Sequence, residues 1–401
     1  MEQTILKEAK ALQKELVEWR RELHRRAEVG FALPMTTAFL KETLSEMGYK
    51  VEPCGKSGLT VTVGDGEKTF LLRADTDALP IREEARVGYA SKSGNMHACG
   101  HDMHATMLLG AAKLLKAKEK GLRGRVKLLF QPAEELLEGA KNMIENGVLV
   151  SPKVDGAMMM HVMTNVPMPV GTTVVASAGV SAPAADYFTI KVKGKGCHGS
   201  APWNGVDATS VAAHILLALH EISARELSVS QPAVLTVGSV SAGEASNVIA
   251  DTATLKGTLR AFDEGVRAQV KQRFKEISSS VARAFRARAS VRYGGGCPTL
   301  VNDEKLSAFT EKTLKKLLGE NGVFASATLQ GGVKEKSGGS EDFAYISQEV
   351  PSVMVAIAAG QTEKGYTYPL HHPKVKFDEG ALFIGAAAYA HTAIEWLKNE
   401  G

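Results

Sequence analysis

After Gly48 the chain falls into short apolar runs, Leu59 to Val63, Phe70 to Leu72, Val126 to Phe130 and Ala157 to Met160, each bounded by Gly or charged residues. A helical periodicity, Leu108 to Leu115, lies between two of them. Strands alternating with helices imply an α/β fold, a mixed and mostly parallel sheet flanked by helices. Ahead of them, Ile5, Leu6, Ala9, Leu12, Leu16, Trp19 and Leu23 recur at steps of three and four and predict one amphipathic helix.

From about Asp186 the texture changes. Strand patterns at Tyr187 to Lys193, Val234 to Val240, Thr252 to Arg260 and Ala289 to Tyr293 alternate with helical patterns at Val206 to Ile222 and Val270 to Phe285. That order, βαββαβ, is the ferredoxin-like pattern and closes as an inserted small domain. Its borders are Ala176 to Ala185 and Gly294 to Pro298, stretches rich in small residues and suited to hinges. The expected division is 1–182 with 296–401 for the larger domain and 183–295 for the insert. A helix near Leu306 to Leu318, a strand near Val353 to Ala358 and a final amphipathic helix to Leu397 resume the α/β style.

Composition narrows the function. With 401 residues, 44% hydrophobic, the chain buries a sizeable core. Its 48 Lys+Arg against 44 Asp+Glu, with no dense basic run, leave no footprint of a nucleic-acid binder. No apolar run approaches the roughly 20 residues that cross a bilayer, and the charged start lacks a signal h-region, so a cytoplasmic location is expected, with no membrane partner. Cys54, Cys99, Cys197 and Cys297 are too scattered for a disulfide framework.

Polar residues collect after the strands of the larger domain: Arg73-Ala-Asp75-Thr-Asp77, Gln131-Pro-Ala-Glu134-Glu135 and His161. In open α/β sheets the crevice beyond the strands' carboxyl ends binds ligands, so three strand ends point at one site. His97, Cys99, His101 and His104 add three imidazoles and a thiol within eight residues. Cys, His and carboxylates are the ligands of Zn²⁺ and, where carboxylates share the site, of Mn²⁺, Co²⁺ or Ni²⁺. The Glu134-Glu135 pair suits a division of labour, one carboxylate holding metal and the other moving a proton.

The blocks Leu23 to Phe31, Arg73-Ala-Asp-Thr-Asp-Ala-Leu-Pro80, Met96-His-Ala-Cys-Gly-His-Asp-Met-His104, Phe130-Gln-Pro-Ala-Glu-Glu135, Gly194 to Ser200, Gly339-Ser-Glu-Asp-Phe343 and Pro369-Leu-His-His-Pro373 resemble those of the M20 metallopeptidases. The resemblance is to the amidohydrolase branch with hippurate hydrolase, N-acetyl amino acid deacylases and auxin-conjugate hydrolases. It implies a catalytic domain carrying two divalent ions and an inserted lid domain through which a homodimer forms. It places Cys99, His101, Glu135, His161 and one His of the 371–372 pair, with His371 the better match, on metal-ligand positions. Glu134 falls on the general-base position, His198 on that of a histidine reaching the partner subunit's site, and Asn247 and Arg260 on substrate contacts. Asp75 and Asp77 are expected to orient ligands, while His24, His97 and His104 are expected to be structural.

The implied reaction is hydrolysis of a small-molecule N-acyl amino acid by metal-activated water. A metallo-dipeptidase or aminopeptidase of the same fold, or a non-catalytic binding protein, are the alternatives. Gly194-x-Gly196-x-x-Gly199 mimics a dinucleotide fingerprint but leads into no helix N-terminus. A thiol hydrolase using Cys99 would not need Glu134, Glu135 and His161 at adjacent strand ends. Ala27, Cys197, Trp203 and Met163-Thr164-Asn165 depart from the usual residues of the family, and none removes a ligand.

Overall fold

The computed structural model describes residues 2–329 and 338–400. The chain divides into two compact units. One takes the chain up to Ser181, 301–329 and Asp342 onwards; the other takes Ala182–Leu300 with 338–341.

The first unit is built on an eight-stranded sheet in the order Glu52–Cys54, Gly58–Gly64, Arg125–Gln131, Thr69–Asp75, Gly156–Met163, Ser352–Ala358, Thr173–Val175, Val323–Ala325. The strands Arg125–Gln131, Thr69–Asp75, Gly156–Met163 and Ser352–Ala358 run parallel, so their carboxyl ends share one edge. All seven residues of Thr69–Asp75 are buried, as expected for a strand covered on both faces. The helix His101–Ala117 is buried on nearly every side and packs on the last helix, Leu382–Glu400. The two approach so closely at Gly385 that an added Cβ would lie 1.9 Å from Met107 Sδ. Tyr389 of the last helix accepts the Met160 amide and donates to the Arg73 carbonyl, both at 2.7 Å, pinning two strands beside the site.

The second unit has an antiparallel four-stranded sheet in the order Ala233–Ala242, Thr252–Ala261, Ala184–Lys193, Arg288–Cys297. Phe188, Ile190, Val192, Leu255 and Leu259 pack on the helices Ala208–Glu221 and Glu264–Ala284, through Val211, Ile215, Val270 and Phe274 among others. Asp207 and Asp263 cap those helices by accepting the amides of Thr209 and Val266.

Three local expectations differ from what forms. The single N-terminal helix is two, Glu2–Ala11 and Gln13–Arg25, because the Leu12 amide bonds to Ala9, three residues back, and tightens the turn. The small-residue borders are partly strand: Gly179–Ala182 and the start of Ala184–Lys193 on one side, the end of Arg288–Cys297 on the other. The helix Pro34–Glu46, for which no signal was read, buries two threonines, Thr36 and Thr43, beside Leu40 and Leu44. Among the described residues no helix is long and apolar enough to cross a membrane.

Candidate metal centre

The ends of adjacent parallel strands deliver Asp75, Gln131 and His161 to one edge of the sheet. Gly100, at φ +84°, turns the chain between Cys99 and the helix that begins with His101. A Cβ there would lie 2.4 Å from Val162 Cγ2, so no other residue fits without displacing the strand that carries His161. Two more left-handed residues flank the site, Ala133 before the Glu134-Glu135 pair and His371 itself, at φ +57° and +64°. Such conformations persist where the surroundings over-determine them; the His371 amide is held by the Ala98 carbonyl at 2.9 Å.

The donors converge. Cys99 Sγ lies 3.5 Å from His161 Nε2 and 3.3 Å from His371 Nε2. Glu135 Oε1 lies 3.6 Å from His371 Nε2 and 3.8 Å from His101 Nε2, while Glu134 Oε2 is 3.9 Å from His101 Nε2. Cys99 is shared by two donor groups, Cys99–His101–His161 and Cys99–Glu135–His371. His372 stands outside them: its ring stacks on Tyr368 at 4.4 Å and its Nδ1 accepts the Lys374 amide.

These residues fit divalent ions on three grounds. His101 Nδ1 donates to the Asp77 carbonyl and His161 Nδ1 to the Val162 carbonyl, both at 2.8 Å, which turns the lone pair of each Nε2 inward. His101 Nε2 and Glu135 Oε1 are buried with no hydrogen-bond partner, an arrangement that costs free energy unless a cation satisfies it. Burial and the Cys99 sulfur push the Glu135 carboxyl up to about 8. Burial opposes ionisation of Cys99 as well, but the His161 and His101 imidazoles outweigh it and hold the thiol well below its usual value. A thiolate beside a carboxylate calls for positive charge.

Asp77 organises the pair of glutamates, its two oxygens accepting the amides of Glu134 at 3.0 Å and Glu135 at 3.2 Å. Asp75 accepts from His104 Nδ1 at 2.5 Å and from Arg73 at 2.8 Å. His104 Nε2 accepts the Val162 amide at 2.8 Å, so both its nitrogens are used and it offers no lone pair to a metal. Burial lowers its pKa to about 4, keeping it neutral. His24 lies between Asp102, at 2.7 Å, and Glu83, at 3.1 Å. His97 is buried with no hydrogen-bond partner at either nitrogen, and burial takes it down to about 3.

Beneath the site runs a network that motif reading missed. Arg73, fully buried, reaches Asp75 and Asp342 at 2.8 Å each and Gln131 at 2.9 Å. Asp342 also accepts from Gln131 Nε2 and the Ala140 amide. Its only signal in the sequence is the Gly339 to Phe343 block, which names no partner.

His198, Asn247 and Arg260 belong to the second unit and are described there. His198 is exposed on the short strand Cys197–His198, paired with Val248–Ile249. The Asn247 carbonyl accepts the Gly199 amide at 2.7 Å. The Ser200 amide donates to His198 Nδ1 at 3.1 Å, so the neutral imidazole carries its proton on Nε2. Arg260 lies 5.7 Å over the Tyr187 ring, with no carboxylate among the described residues within ion-pair distance. After Gly199 comes the short 3-10 turn Pro202–Asn204, and the next helix starts only at Ala208, so the glycine triplet cradles no pyrophosphate.

Comparison with known proteins agrees with this architecture. Residues 71–395 match the model of peptidase family M20/M25/M40. An N-acetyl-L-cysteine deacetylase of Bacillus subtilis is 39% identical over 92% of this chain and 85% of its own length. The hippurate hydrolase of Campylobacter jejuni is 33% identical over 96% and 98%. The crystal structure of a dinuclear metal-binding M20 peptidase from Bacillus subtilis superposes with a TM-score of 0.78 at 30% identity, covering 97% of this chain and 99% of that one. The chain belongs to the M20 family of metal-dependent amidohydrolases and peptidases.

Proposed function

We propose that this family member hydrolyses the amide bond of N-acyl amino acids of the acetyl or benzoyl type, releasing a carboxylic acid and a free amino acid. The observation that carries the reading is the convergence of Cys99, His101, Glu135, His161 and His371, with Glu134 at its edge. Those five would hold two divalent ions, Zn²⁺ or Mn²⁺, with Ni²⁺ or Co²⁺ as further candidates. Bound there, the ions would polarise the scissile carbonyl and make water nucleophilic near neutral pH.

The remaining work falls to side chains. Glu134 takes the proton of the attacking water and later passes it to the departing nitrogen, a role that suits a carboxylate whose charge is favourable beside cations. Asp77 fixes the Glu134-Glu135 backbone, so base and ligand move as one piece. His198, with its proton on Nε2, would donate to the carbonyl oxygen as it gains charge, in the partner subunit of a homodimer formed through the second unit. Arg260 would clamp the free carboxylate of the substrate in bidentate fashion, and Asn247, next to Gly199 and His198, would make a separate substrate contact.

The test is free amino acid release from acetyl, benzoyl, longer acyl and indole-acetyl amino acids, alongside dipeptides, using chelated protein reloaded with Zn²⁺ or Mn²⁺. Metal-dependent release from acyl amino acids is the expected result. Release from dipeptides alone would move the reading to a peptidase, and no release with metal demonstrably bound would move it to a binding protein.

A further inference from the structure

The helices of the second unit cover one face of its sheet, and the opposite face is open. Strand register assembles on it a group of cations that the sequence scatters between 191 and 292. Lys193 stands directly opposite Arg288, and Lys191 opposite Ser290 and Thr254. Thr189, one step along, is flanked by Arg292 on one side and Lys256 on the other. All five cations are exposed. With strands about 4.8 Å apart and about 3.3 Å per residue, they occupy about 10 Å by about 13 Å.

The outward residues of the four strands include no Asp or Glu. Among the described residues none of the five cations lies within ion-pair distance of a carboxylate, whereas cations elsewhere in this unit do: Arg267 and Lys271 with Asp186, Arg273 with Glu226. Like charges directly opposite on a sheet, such as Lys193 and Arg288, destabilise it. Tyr187, Thr254, Thr258, Val234 and Arg260 share the face, the Arg260 guanidinium lying 5.7 Å over the ring of Tyr187, with the small polar side chains of Thr236, Ser239 and Ser241 along its edge strand.

We infer that this open sheet face binds the phosphate backbone of a single-stranded nucleic acid through Lys191, Lys193, Lys256, Arg288 and Arg292. Lysine is depleted in protein–protein interface cores, and this face has no apolar centre to anchor a protein. Sheet twist of about 20–25° per strand fans the cations over directions that a flexible strand can follow and a flat bilayer cannot. A positively charged track beside a stacking aromatic is how sequence-tolerant single-strand binding is built. The inference revises the expectation drawn from composition; none of the five cations is among the residues proposed for hydrolysis, although Arg260 of that set stands on the same face.

Fluorescence anisotropy of a labelled 12-nucleotide single strand, titrated with the full chain from 50 to 200 mM salt, tests it. With about 0.7 counterions released per phosphate contacted, five contacts give a log–log salt slope of about −3.5. Reversing Lys193 and Arg288 together (K193E, R288E) lowers affinity more than tenfold and brings the slope to about −2.1, while circular dichroism remains that of the parent. No anisotropy change at 50 mM salt, binding retained by the double variant, or equal binding of polyglutamate or phosphatidylserine vesicles would each overturn the inference.

Discussion

The two units each bury a sheet, the first on both faces and the second on one, with opposite attitudes to charge. In the second unit Ala184–Lys193 and Arg288–Cys297 alternate inward apolar with outward polar residues, and both long helices start on an aspartate cap. Asp186, buried in this unit, is met by Arg267 and Lys271 from a single helix. The first unit instead sinks Arg20, Arg73, Asp75, Asp77, His101, Asp102 and His104 into its interior at 1% exposure or less. Such groups stay only because each is paired, and replacing them by apolar residues would often be neutral or stabilising for fold alone. The difference separates a scaffold built for stability from one that has given up stability to hold a site.

The strongest way to sharpen this contrast is to remove chemistry without touching the fold. Glu134→Gln keeps the shape of the side chain and the backbone bond to Asp77, so metal content and the thermal melt should match the parent. Turnover should fall by about 10²–10⁴-fold, the usual worth of a positioned general base. Release of amino acid at the parental rate would take Glu134 out of the proposed mechanism and leave the contrast one of architecture alone.

Next in size is a test of whether the buried charges depend on one another. Arg73→Met leaves Asp75 and Asp342 as carboxylates without their shared cation. Breaking a buried pair in this way costs about 3–5 kcal/mol, which a urea midpoint would register. If Asp342→Asn, made in the Arg73→Met background, restores part of the loss, the network is a coupled unit; strict additivity would show that it is not.

How much of this was legible follows the same division. The second unit's strands and helices could be read from periodicity because each residue's burial is decided by its own strand or helix. In the first unit Cys99, His101, Glu134 and Glu135 were legible because motifs crowd them into short blocks. The partnership of Arg73 with Asp342 was not, since 269 residues separate them and nothing local marks the pairing. The helix Pro34–Glu46 escaped because threonine takes two of its buried positions, which blurs the apolar stripe. The five cations of the open sheet face escaped for the reason that Asp342 did: register, not sequence proximity, brings them together.

Backbone geometry at the site offers a smaller effect. Gly100→Ala would force an L-residue to φ +84° and press a methyl against Val162. The strain alone is worth about 1–2 kcal/mol. Because Gly100 lies between Cys99 and His101, metal affinity measured by competition with a chelator should fall along with stability. A loss of stability with metal affinity intact would show that the turn serves the fold and not the donors.

The smallest effect belongs to the second unit, where the comparison predicts ordinary behaviour. Asp207 accepts the Thr209 amide at the start of Ala208–Glu221, an exposed bond with no link to the buried charges. Asp207→Ala should cost about 1 kcal/mol, the typical worth of such a cap, and leave metal affinity unchanged. Its effect should add to that of Arg73→Met, since the two share no partner. A shortfall or excess beyond about 0.5 kcal/mol in the double variant would mean that the two units do not fold independently, and the contrast drawn between them would then describe two parts of a single cooperative core.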